Sequence, residues 1–129
     1  MGGDFDRIAG GVRELMGAAM RGAEPDTVRV AVDTLRDQWL AAERASRDVN
    51  TASIERFEAV VTMLYGEAYR PAILAVSEGR NPGDALDRAS EVSRWILRAY
   101  HAFTSGSDEV LGLCLRKAER AAAPRDDVR

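Results

Sequence analysis

Histidine, cysteine and lysine occur once each in the 129 residues, as His101, Cys114 and Lys117, and each scarcity closes a class of function. A single histidine cannot supply the paired imidazoles of a two-His zinc centre or of a di-iron carboxylate site. A single cysteine rules out an intramolecular disulfide framework and suits a reducing cytoplasm. Long apolar runs are missing too. The longest nearly uncharged stretch, Ala59 to Gly66, is far too short to cross a bilayer. At the N-terminus, Asp4 and Asp6 stand where a secretory signal needs positive charge and then an apolar run. Gly2 follows the initiator, but Asp6 occupies the position where a myristoylation signal carries Ser or Thr. The expectation is a cytoplasmic chain with no membrane contact.

Recognisable chemistry is equally sparse. The glycines are scattered, and none joins a strand to a helix as a phosphate loop or dinucleotide fingerprint requires. Asp33 with Asp37, and Glu55 with Glu58, are helix neighbours that read as solvated pairs rather than metal ligands. Cys114 and His101, on two helices, are a conceivable nucleophile and base pair. Cys114 falls on an apolar helix face, however, where a thiol is usually inert packing. These absences predict a non-catalytic protein with no cofactor and no metal.

What is present supports a packed core. Hydrophobic residues make up 46% of the chain and charged residues 30%, with 18 basic and 21 acidic side chains giving a net charge of −3. That is enough apolar surface to offset chain entropy in one domain. The negative total argues against a general nucleic-acid coat. Arginine almost wholly replaces lysine, a bias of GC-rich, bacterial-type genomes.

Apolar periodicity is helical throughout, and five segments separate. In the first, from about Asp4 to Arg21, the stripe is Phe5, Ile8, Val12, Leu15, Met16 and Ala19. Gly10, Gly11 and Gly17 weaken it, so it needs close packing against a neighbour. Gly22 stops it and Pro25 starts the second, which runs to about Asp48 with Val28, Ala31, Val32, Leu35, Trp39 and Ala42 inward. Its charges pair at i,i+4 as Arg29–Asp33, Glu43–Arg47 and Arg44–Asp48, and so read as a solvated face. Caps at Asn50 to Ser53 precede a third helix, about Thr51 to Tyr69, with Ile54, Phe57, Val61, Leu64 and Ala68 as its stripe. Because Val60, Met63 and Tyr65 fill other faces, this helix belongs at the centre. Pro71 predicts a kink or break, with a short resumption from Ala72 to Glu78 before Gly79.

Asn81 and Pro82 open the fourth helix, to about Phe103, with Leu86, Ala89, Ser93, Ile96, Leu97, Tyr100 and Phe103 inward. Gly106 ends it and Ser107 caps the fifth, where Val110, Leu111, Cys114, Leu115 and Ala118 dock. The expected fold is all-α, a compact bundle of four to five mostly antiparallel helices over residues 1–123. A charged, frayed tail follows over 124–129.

Two clusters remain as functional candidates. On the fourth helix Val92, Trp95, Ala99 and Ala102 form a second stripe, with Trp95 set among Arg88, Glu91, Arg94 and Arg98. Tryptophan and arginine are the residues enriched at interface centres. Val60 and Met63 on the third helix join them as surplus apolar surface. This predicts a protein partner or self-association, as an interaction or assembly subunit. A second reading takes Arg88, Arg94 and Arg98, with Arg70 and Arg80, as a basic edge along a nucleic-acid backbone. Interleaved Asp84, Asp87 and Glu91 favour intrahelical pairing over that reading. A third takes Tyr65, Glu67, Tyr69, Arg70, Tyr100 and His101 as a small-molecule pocket beside Pro71, of a sensor or atypical enzyme.

Overall fold

Glycines close the helices where the sequence places its stops. In a computed structural model describing residues 3–48 and 54–123, helices α1 (Gly3–Met20), α2 (Pro25–Asp48), α3 (Ile54–Ser77), α4 (Gly83–Ser105) and α5 (Asp108–Ala122) make an all-α bundle. At the end of α4, Gly106 adopts φ 75°, its N–H bonds the Phe103 carbonyl, and the Ser107 N–H reaches Ala102. Gly79 repeats the pattern after α3, again at φ 75°. Glycine suits this left-handed position because it has no Cβ to clash with the preceding turn. The caps at Asn50 to Ser53 and the tail over 124–129 lie outside the described residues.

α3 touches all four other helices, with α1 and α2 on one side and α4 and α5 on the other. Two apolar clusters result. On one side Ile8, Val12, Val28, Val32 and Trp39 pack against Ile73 and Leu74. On the other, Phe57, Val61, Leu64 and Ala68 meet Ala89, Val92, Ile96 and Ala99 of α4, and Cys114 and Ala118 of α5. The central placement read from α3's many-sided apolarity is what the bundle shows.

Four details differ from the sequence reading. α3 continues unbroken through Pro71, whose ring faces solvent; only the N–H that would have reached the Glu67 carbonyl is lost. The inward face of α4 is turned toward α5. Val92 and Ala99 are fully buried, whereas Leu97 is 61% exposed and Leu86 38%. A helix packed by two neighbours buries a wide arc, and the stripe taken for surplus lies inside it. Val110 and Ile54, both expected inward, are exposed near helix starts. Ser107 holds the N-cap position of α5 without a side-chain cap bond, while at α4 Pro82 rather than Asn81 is the N-cap and the Asn81 side-chain Oδ1 accepts the Gly83 N–H at 2.9 Å.

The glycines of α1 follow the packing expectation in part. A Cβ on Gly11 would meet Leu35 of α2 at 3.1 Å, while Gly10 faces open space.

Candidate functional site

Trp95 is half-buried on α4 where that helix meets α5. The Arg98 guanidinium lies over its ring at 4.8 Å from the centroid, and the Lys117 ammonium stands at 5.8 Å. Both fall within the range of attraction between a cation and an indole face. Next to it, a cleft of about 210 Å³ is lined by Arg88, Glu91, Lys117, Arg120, Ala121 and Ala123. Arg88 donates to the Ala123 carbonyl at 3.4 Å, while its buried Nε has no hydrogen-bond partner. The cleft lining and the two cations over the ring together hold four cations (Arg88, Arg98, Lys117, Arg120) and one carboxylate, Glu91.

Of the residues assigned to this surface, Val92 does not belong there: it is fully buried against α3 and α5. Val60 and Met63 are half-buried and pack on the core from α3. Arg94 is exposed. The intrahelical pairing expected of Asp84, Asp87 and Glu91 does not form, for no salt bridge among the described residues involves α4 or α5. Arg98 lies over Trp95 instead, and Arg88 turns to the end of α5.

The six residues assigned to a pocket separate into two groups and a lone exposed histidine. Tyr65, Tyr69 and Tyr100 join an aromatic cluster with Phe5 and Phe57. Tyr65 lies 4.7 Å from Tyr69 between ring centroids, Phe5 5.6 Å from Tyr65, and Phe57 4.8 Å from Tyr100. Burial pushes the Tyr100 hydroxyl up to about 12, with the carboxylates of Glu58 and Asp6 adding to it. Burial likewise raises Tyr65, helped by Tyr69 and opposed by a hydrogen bond from Arg13. Glu67 and Arg70 instead turn to α2, and His101 is exposed.

That α2–α3 contact is what the sequence reading missed. Arg70 reaches Asp33 at 2.7 Å, and Arg36 grips Glu67 through Nε at 2.8 Å and Nη2 at 3.2 Å. The Trp39 indole N–H donates to the same Glu67 at 2.8 Å. Trp39 itself is fully buried flat on Gly66, where a Cβ would come within 2.6 Å of the ring. Further along, Glu43 accepts from Arg47 at 2.7 Å and from Arg56 of α3 at 3.0 Å. Burial pushes the Glu43 carboxyl up, but these two hydrogen bonds overcome it and hold the group below the usual glutamate range. Beyond the seam, Glu78 accepts from Arg80 and Arg29 and is also held low, chiefly by Arg80.

The face read as solvated is thus an interhelical seam. Arg29 and Asp33, expected to pair with each other, pair with Glu78 and Arg70 instead. The Arg44–Asp48 pair rests on a side chain outside the described ones. Arg70 and Arg80, engaged with carboxylates, are not part of a continuous basic edge. A signal was available: Asp33, Arg36 and Glu43 recur at helical spacing beside Trp39, as Glu67 and Arg70 do beside Gly66.

Among the described residues no group of histidine, cysteine or carboxylate side chains could hold a metal ion, and no helix is long and apolar enough to cross a membrane. No protein-family model, curated protein or solved structure matches the chain.

Proposed function

We propose that this chain is a non-catalytic docking protein whose Trp95 face, on the α4–α5 hairpin, receives an acidic segment of a partner protein. The observation that carries the reading is the half-buried indole held between Arg98 and Lys117, beside a cleft walled by Arg88, Lys117 and Arg120. Tryptophan and arginine contribute most at interface centres because both bury much surface and keep directional contacts. Cations not committed to intramolecular carboxylates can pair with a partner's carboxylates without first breaking an ion pair. Leu113, 47% exposed on α5, adds apolar surface to the hairpin.

Intrinsic fluorescence tests this directly, since Trp39 is sealed in the core and Trp95 is within reach of a quencher. A short peptide alternating glutamate and leucine should slow acrylamide quenching of Trp95. The protection should weaken as salt rises and disappear in the Arg98→Ala, Lys117→Ala double variant. Unchanged quenching at millimolar peptide would overturn the reading. Stronger protection by single-stranded DNA than by peptide would favour the nucleic-acid alternative. Light scattering that finds an oligomer, split by Trp95→Ala, would make the occupant a second copy of the chain.

A further inference from the structure

α5 leaves one side uncovered. Its inner face, Cys114 and Ala118 with Leu111 and Leu115, packs on the core. On the opposite side Glu109, Val110, Leu113, Arg116, Lys117 and Arg120 are all exposed, and their three- and four-residue spacing puts them on one helix face. Val110 and Leu113 are 48% and 47% exposed. The stripe has a direction: a carboxylate first, then two apolar side chains, then three cations. The helix dipole favours acids at a helix start and bases at its end, but it places no apolar side chains in water between them.

Within one chain the acid cannot meet those cations. Arg116 and Lys117 lie about 10–12 Å along the helix from Glu109, and none of the three joins an ion pair among the described residues. A second copy running the opposite way brings them together. When two α5 helices are registered on Leu113, Glu109 of each copy stands level with Lys117 of the other, since both lie four residues from Leu113. Val110 stands level with Arg116 by the same rule. Leu113 then packs on its own counterpart, and Val110 lies along the methylene stems of Arg116 and Lys117. The stripe is thus complementary to itself, as a two-fold interface requires. A parallel pair would set Glu109 against Glu109 and cation against cation.

We infer that two copies of this chain pair through antiparallel α5 helices, with Leu113 on the two-fold axis and Glu109 of each copy facing the cations of the other. The inference rests on the docking role proposed for the α4–α5 hairpin and names the occupant as a second copy. α5 has 15 residues, about 22 Å of helix, so the contact is small for a specific interface and the dimer is weak.

Sedimentation equilibrium of the full chain at low and high salt tests the pairing. The wild type should pass from monomer to dimer as its concentration rises toward millimolar, and less readily at high salt. Leu113→Asp, at an exposed position that leaves the core untouched, should abolish the dimer. Glu109→Lys and Arg116→Glu should each weaken it by about tenfold, and an equimolar mixture of the two variants should restore it. A wild type that stays monomeric at millimolar concentration in low salt would overturn the inference. So would a dimer that none of the three substitutions weakens. All three leave Trp95, Arg98 and Lys117 in place, so quenching with the acidic peptide reports on the docking role separately. Peptide protection without a wild-type dimer sinks only the second copy; absence of both sinks the docking role as well.

Discussion

The seam between α2 and α3 and the hairpin of α4 and α5 use similar residues to opposite ends. Along the seam, Asp33, Arg36, Glu43, Arg56, Glu67 and Arg70 all pair across the helix contact or at its edge. In the hairpin, six basic and six acidic residues between positions 83 and 123 form no ion pair among the described residues. The seam lies beside a buried tryptophan, where partial shielding from water makes a carboxylate worth pairing. Apart from half-buried Arg88, the hairpin's charges are exposed, in high dielectric where pairing gains little. Charge in the first region serves the fold. In the second it is free of ion pairs among the described residues, which is what the proposed docking role draws on.

Substitutions can break this contrast, starting with the tightest contact. Gly66→Ala forces a Cβ into the Trp39 ring and should cost about 1–3 kcal/mol or more by chemical denaturation. A full-stability variant would show that Trp39 does not rest on Gly66. Glu43→Ala comes next. It removes the acceptor shared by Arg47 and Arg56 and should cost about 1–2 kcal/mol, discounted because both arginines are partly exposed. Its pH dependence has a definite sign. The folded Glu43 carboxyl titrates below its unfolded value, so its stabilisation is present above the usual glutamate range and is lost as pH falls through the lowered folded value. Wild type and Glu43→Ala should therefore converge in stability under acid.

Gly10→Ala works in the other direction. Nothing crowds this α1 position, so alanine should stabilise by about 0.5–1 kcal/mol through helix propensity alone. A loss would mean that α1 packs more tightly at Gly10 than at Gly11. The smallest effect belongs to the hairpin. Arg98→Ala with Lys117→Ala should change stability by less than about 1 kcal/mol, the scale of exposed cation–π contacts. A large loss would place those cations in the fold and erase the contrast.

Much of the architecture was legible in the chain. Stops at Gly22, Gly79 and Gly106 and the start at Pro25 mark helix boundaries because their backbone chemistry is local. The apolar stripes of α1 and α2 predicted Ile8, Val12, Val28, Val32 and Trp39 as buried, and all are. α4 was harder, since packing on two sides buries Val92 and Ala99 and leaves Leu97 out, and a stripe does not say how many neighbours a helix has. Arg29 and Asp33 were misread for a related reason, whereas the Glu43–Arg47 pair forms as expected. Spacing within one helix shows which charges are able to meet, but a second helix decides which do.

The sequence by itself determined the helical class, the punctuation and the central position of α3, because propensity, capping and periodicity act over a few residues. It also determined that histidine, cysteine and lysine occur once each, which is a matter of counting. Tertiary structure alone decided that Gly66 seats Trp39, and that Glu67 and Arg70 turn to α2 while Tyr65 and Tyr100 join an aromatic cluster. Those outcomes depend on the rotation of each helix about its axis. That rotation is set by the packing of side chains far apart in the chain, and no local pattern encodes it.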